Sequence, residues 1–297
     1  MQSDKQETER FCGRQVKSGR KGSQMGKMQP VKLETIEKQY IWGSEKWMLS
    51  DLHKEVKHSP LLVKIITAKD NLSVQVHPGN EYALEKENSS GKTEMWYVLD
   101  CEPGAFLYYG LKHKISANEF LKRINNDTIL EVCRKVPVKK GDVFYIPAGL
   151  LHAIGKGIQV AEVQQNSNIT YRVYDYHRQD AEHNFRPLHI KQAEEVAGLM
   201  PPLQGHHPMG QRVFKNGYYK TLLVRCPYFQ VNRMEIETGM KKSVCDFHQS
   251  LLILEGSGKL MYEDKIMELK KGDSIYIPKG GESYEIHGKI QILLSEG

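Results

Sequence analysis

Four residues in the first half of the chain have the types and spacing to hold a metal ion. Gln75 and His77 stand one residue apart in SVQVHP. On a strand that spacing puts both side chains on one face. Glu94 opens the apolar run of KTEMWYVL, and His152 follows a Pro-x-Gly turn in PAGLLH (147–152). Two imidazoles, a carboxylate and an amide oxygen make a nitrogen–oxygen donor set of borderline hardness. Zn2+ suits it, with Fe2+, Mn2+ or Co2+ as alternatives. So few protein ligands leave a coordination position for substrate, and the chemistry in view is Lewis-acid activation.

Such residues must be carried by elements that bring them together. From about Val31 onward the chain alternates short apolar runs with turn signals, as in LLVKII (61–66), MWYVL (95–99), DVFYIP (142–147) and IQVAEV (158–163). Their length and their β-branched and aromatic content predict strands. Strands resume from TLLVRC (221–226) to KIQILL (289–294). Two stretches predict helices. Ser116 with Glu119 forms a capping-box signature for one or two helices over 116–134, and 187–198 begins with Pro and ends with Gly. The expected fold is mainly β, with a small helical insertion at about 112–135.

The chain also contains a repeat. VKKGDVFYIPAGLLH (138–152) parallels LKKGDSIYIPKGGES (269–283). Upstream, EMWYVLDCEPGAFLYY (94–109) parallels QSLLILEGSGKLMYED (249–264). Residues needed only for folding should recur in both copies, and residues needed for a metal only where a metal sits. Gly, Pro and Tyr recur. Gln249 aligns with Glu94 and Ser283 with His152, so the second copy lacks those two donors. The spacing Gly141-x5-Pro147-x-Gly149-x2-His152 resembles the second motif of the cupin superfamily, whose members often bind a metal between their two motifs. That resemblance implies two jelly-roll β-barrels or sandwiches. The first, 29–200, would be catalytic and metal-binding, and the second, 201–297, metal-free.

Composition excludes several classes. The chain has 297 residues, 42 Lys and Arg against 36 Asp and Glu, and 39% hydrophobic residues. No run approaches the roughly 20 apolar residues of a membrane span. No apolar segment near the start resembles a secretory signal. The five cysteines are scattered and odd in number, which predicts reduced thiols in the cytoplasm. Seven basic and three acidic residues fall in 1–28, a polar stretch expected to be a disordered basic tail. The remainder, 35 basic against 33 acidic, is nearly balanced. It gives no reason to expect a nucleic-acid or membrane partner.

At its motifs the chain resembles the type I mannose-6-phosphate isomerases of the short bacterial kind. The matching stretches are YIWG (40–43), LLVKIITAKDNLSVQVHPGNEYA (61–83), GKTEMWYVLDCEPGA (91–105), VKKGDVFYIPAGLLHAIGKGI (138–158) and EVQQNSNITYRVYDYHR (162–178). The resemblance implies interconversion of mannose 6-phosphate and fructose 6-phosphate. The route would be a cis-enediol(ate) stabilised by one Zn2+ per chain and Arg172. It also implies Gln75, His77, Glu94 and His152 as zinc ligands. Arg172, Lys92 and Glu162 would be catalytic, and Ser73, Lys92 and Arg178 would bind substrate near its phosphate. The proton-transfer base could be Lys92, Glu162 or a metal-bound water. One departure is that segment 44–64 is shorter than the family's and has no Glu after Trp47. Two alternatives stand beside the isomerase. One is another metal-dependent cupin enzyme, such as an Fe2+ dioxygenase, and the other is a non-catalytic sugar-phosphate-binding cupin.

Overall fold

The computed structural model describes residues 29–180, 182–243, 246–281 and 283–297. The expected tail, 1–28, lies outside them. Three sheets account for the strands, and every pairing is antiparallel. A six-stranded sheet runs Ile36–Tyr40, Gly43–Leu49, Leu61–Ala68, Ile158–Gln165, Glu94–Cys101 and Val143–Ile146. A five-stranded sheet runs Tyr171–Tyr174, Val74–Val76, His152–Ile154, Phe106–Leu111 and Cys133–Pro137. The third sheet has nine strands and holds all those after Arg212, with Val31–Leu33 added at its edge against Ser274–Ile277. The jelly rolls are open sandwiches, not closed barrels.

The apolar patterning explains the layering. The five- and six-stranded sheets face each other over Ile66, Leu72, Val98, Leu107, Phe144 and Ile158. The other face of the six-stranded sheet packs on the nine-stranded one through Leu61, Val63, Met95, Val163, Val231, Leu252 and Leu293. Its central strands are therefore covered on both sides and read as continuous apolar runs. A charge on such a strand is costly unless paired. Lys64, Glu94 and Glu162 are buried charges on these strands, and all three face the site described below. Helices cover the outer face of the five-stranded sheet through Phe120, Ile124, Ile129 and Ala193.

The repeat is preserved in backbone geometry. Gly141 and Gly272 turn with φ of +93° and +89°, and Gly149 and Gly280 with +86° and +74°. These are left-handed values that glycine adopts without strain. Asp142 and Asp273 each accept the backbone N–H three residues back at 2.9 Å. The insertion forms two helices, Ala117–Asn125 and Ile129–Val132, and the Ser116 hydroxyl accepts from the Glu119 N–H at 3.1 Å. The helix expected over 187–198 is shorter, Ile190–Val196, with His189 and not Pro187 at its start. A fourth helix, Asn80–Glu87, has no counterpart among the expected elements. It lies in a polar sequence with little apolar periodicity. Among the described residues no helix is long and apolar enough to cross a membrane. Cys101, Cys133 and Cys226 are free thiols.

Candidate active site

His77, Glu94 and His152 meet between the two facing sheets, fully buried, with one donor atom of each within 4.8 Å of the others. Sheet register does the assembling. Gln75 pairs with His152 on one side and Arg172 on the other, so the three share a face across neighbouring strands. On the opposing sheet, Trp47, Lys64, Glu162 and Trp96 form a second row in register, with Glu94 two residues beyond Trp96. The Gly149 N–H donates to the His77 carbonyl at 2.8 Å, which ties the Pro-x-Gly turn to the first histidine.

The histidines are oriented as metal ligands are. His77 Nδ1 lies 2.8 Å from the Ile169 carbonyl, and His152 Nδ1 lies 2.7 Å from the Leu150 carbonyl. A carbonyl only accepts, so each Nδ1 carries the hydrogen and each Nε2 keeps its lone pair. His152 Nε2 faces Glu94 Oε1 at 3.4 Å, and neither atom has a hydrogen-bond partner. Two buried acceptors face to face need a cation between them. Burial pushes His77 down to about 3, and it lowers His152 as well. Burial alone would raise Glu94, but Lys92 and the two histidines outweigh it and hold the carboxyl well below the usual range. A neutral His, a neutral His and a carboxylate fit Zn2+ or a similar ion. Lys92 pairs with Glu94 Oε2 at 2.9 Å and donates to His77 Nε2 at 3.2 Å. An ammonium docked there meets the same demand for positive charge.

The cluster adjoins a cavity of about 400 Å³. Its lining includes Ser73, Gln75, Lys92, Glu162 and Arg172, all five anticipated from the sequence. Glu162 accepts from the Trp96 indole at 2.8 Å and lies 3.4 Å from Lys64. Burial raises its carboxyl, Glu94 adds to the effect, and Lys92 and Lys64 oppose it. For Lys92 burial alone would lower the ammonium, yet Glu94 and Glu162 prevail and the value is raised. Arg172 is half-buried, donates Nη1 to the Pro187 carbonyl at 2.8 Å and leaves Nε unpartnered. Arg178 is not part of the lining. It is tied to Asp175 at 2.6 Å, to the Asn71 carbonyl and to Asp70 at 3.6 Å.

Sequence reasoning missed Glu45, Lys64 and Arg186, which also line the cavity. Segment 44–64 does supply an acid there, two residues before its Trp and not after it. Glu45 accepts from the Trp47 indole at 2.6 Å and lies 3.6 Å from Lys64. Lys64 could have been found as the one charge within LLVKII. For Arg186 the sequence offers no signal, because it sits in a loop. Lys64 is nearly buried between two acids. Lys64→Met should therefore cost about 3 kcal/mol of stability by stranding buried carboxylates. Chemical denaturation should show that loss at pH 7 and a smaller one as pH falls through the value of Glu162, which burial raises.

A paired-sheet sandwich with two buried histidines and a glutamate at its cavity defines a cupin of the metal-site class. Comparison with known proteins narrows it. A sequence profile described as "Mannose-6-phosphate isomerase, cupin domain" matches residues 219–296. Mannose-6-phosphate isomerase ManA of Bacillus subtilis is 36% identical over 86% of this chain and 80% of its own length. The chain belongs to the mannose-6-phosphate isomerase family. The crystal structure of the Bacillus subtilis mannose 6-phosphate isomerase superposes with a TM-score of 0.81 at 30% identity, over 90% of this chain and 99% of that one. A more distant mannose 6-phosphate isomerase, solved with zinc and yttrium bound, shares the fold at 14% identity (TM-score 0.65, 92% of this chain and 100% of that one).

Proposed function

We propose that this chain is a zinc-dependent isomerase that interconverts mannose 6-phosphate and fructose 6-phosphate, with residues 29–200 carrying the chemistry and 201–297 supporting the central sheet. The observation that carries the reading is the opposition of two rows across one cavity. His152, Gln75 and Arg172 stand on one sheet, and Glu162 and Glu94 on the other. Membership of the mannose-6-phosphate isomerase family supports it.

Gln75, His77, Glu94 and His152 would hold the zinc ion. When bound, it supplies Lewis acidity to the carbonyl and neighbouring hydroxyl of the open-chain sugar. Glu162 is the proton carrier in this reading. Its carboxyl is raised, and a base poised nearer neutrality transfers protons best. It removes the C2 proton, leaving a cis-enediolate, and returns the proton to C1. Arg172 stays cationic and stabilises the charge that develops on oxygen. Lys92, held as an ammonium between Glu94 and Glu162, keeps those two acids from repelling each other and faces the same oxygens. Ser73 offers a hydroxyl at the cavity wall.

The test is a coupled assay of fructose 6-phosphate formation on chelator-stripped and zinc-restored protein. Stripping should abolish turnover and zinc should restore it. Absence of any metal-dependent turnover on mannose 6-phosphate would sink the reading. Iron-dependent O2 uptake would instead point to a dioxygenase, and sugar-phosphate binding without turnover to a non-catalytic cupin.

A further inference from the structure

A substrate bearing a phosphate dianion needs a cationic grip at one end of the cavity. The cations near that end form a cluster. Arg172 and Arg186 line the cavity. Asp175, buried at 6% exposure, takes Nε of Arg186 on Oδ2 at 2.7 Å and Nη2 of the same side chain on Oδ1. It also takes Nη2 of Arg178 on Oδ1 at 2.6 Å. The loop between the two arginines doubles back on itself, with Gln179 and Phe185 bridging it. Arg178 and Arg186 thus share Asp175, with the exposed Asp70 beside Arg178, while Arg172 bonds the Pro187 carbonyl and not a carboxylate, so positive charge is left over.

We propose that Arg186, clamped by Asp175, is the residue that binds the substrate phosphate, with Arg172 and Ser73 beside it and Arg178 acting as a buttress. This deepens the isomerase reading and rests on it. The geometry favours Arg186 over Arg178 for three reasons. Arg186 lines the cavity and Arg178 does not. The contacts of Arg186 use Nε and Nη2, so Nη1 keeps its hydrogens for another acceptor. Arg178 is spent on Asp175, Asp70 and the Asn71 carbonyl, and it covers the Tyr176 ring. A guanidinium held by a buried carboxylate has lost its rotamer freedom before substrate arrives, so less is lost on binding. Arg172 points the same way. Burial first, and then the neighbouring Arg186, lower its guanidinium, which is how crowded cations without enough anions behave.

The experiment uses the zinc-loaded full chain. Arg186→Met should raise KM for mannose 6-phosphate about 10- to 100-fold, the range for losing a hydrogen bond to a charged group. It should leave kcat nearly unchanged and weaken competitive inhibition by inorganic phosphate by the same factor. Bound zinc should match the parent, and Arg178 still holds Asp175, so the chain should fold with only a lowered melting temperature. A merely structural role for Arg186 would lower the melting temperature without moving KM or phosphate inhibition. Arg178→Met should shift both constants less. Unchanged phosphate inhibition in Arg186→Met, or a larger effect from Arg178→Met, would overturn the inference. Should Arg186→Met fail to fold, Arg186→Lys decides. It keeps the charge but cannot chelate Asp175 and phosphate together, so unchanged phosphate inhibition there would be equally fatal. If the parent binds inorganic phosphate through Arg186 but isomerises nothing, the anion site stands and the isomerase reading falls.

Discussion

Glu162→Gln is expected to lower kcat by about 10²- to 10⁴-fold, the span that a positioned general base contributes. The substitution is nearly isosteric. The amide oxygen can still accept from the Trp96 indole, so the local packing stays and the basic oxygen goes. Zinc content should match the parent, and KM should move little. A second readout separates lost proton transfer from lost binding. Exchange of solvent deuterium into the sugar at C1 and C2 should fall in step with kcat. The pH profile gives a third. Glu162 must be ionised to act, and burial together with Glu94 places its carboxyl above the ordinary value. Parent kcat should therefore fall as pH drops through that raised value, and the variant should lose this acid limb. If Glu162→Gln keeps full turnover while Lys92→Met abolishes it, the base is Lys92, not Glu162.

His152→Ala should abolish zinc binding and reduce turnover by about 10²- to 10³-fold or more, as when an electrostatic stabiliser is removed. Ser283→Ala, at the aligned position of the second copy, should do neither. The contrast rests on burial as well as on residue type. His152 is fully buried, with Nε2 aimed at Glu94, whereas Ser283 lies on the surface. Metal content by elemental analysis and turnover on the same preparations decide it. Equal effects from the two substitutions would refute a division of labour between the copies. The second copy also shows what fills the place of a ligand. Gln249, aligned with Glu94, is buried and bonded to the Tyr284 hydroxyl at 2.9 Å and to Glu296 at 3.1 Å. That polar network is closed by its own side chains.

Much of the fold was legible because its signals are local. The repeated K-K-G-D turns depend on a glycine at positive φ and an Asp three residues after its partner N–H, and both are written in consecutive residues. The Ser116 cap is local as well. The helix Asn80–Glu87 was not legible. Its residues lack an apolar stripe, and only Ala83 among them is buried. Its tertiary contacts include Tyr82 to Glu195 and Glu87 to Tyr171.

The same line divides the site. The sequence by itself singled out His77, Glu94 and His152, which the structure gathers into one buried cluster. Alternation on one strand puts Gln75 and His77 together, and the Pro-x-Gly turn delivers His152. The second copy marks which of these residues folding does not require. Only the tertiary structure decided which charges face the cavity. Register across strands far apart in the chain sets Lys64 beside Glu162 and Arg172 beside Gln75. Arg178 and Arg186 both bond the buried Asp175, and it is Arg186, not the expected Arg178, that the fold brings to the cavity wall. Such choices depend on distances between segments folded against each other and on what burial does to a charge, and neither is encoded in any short stretch of residues.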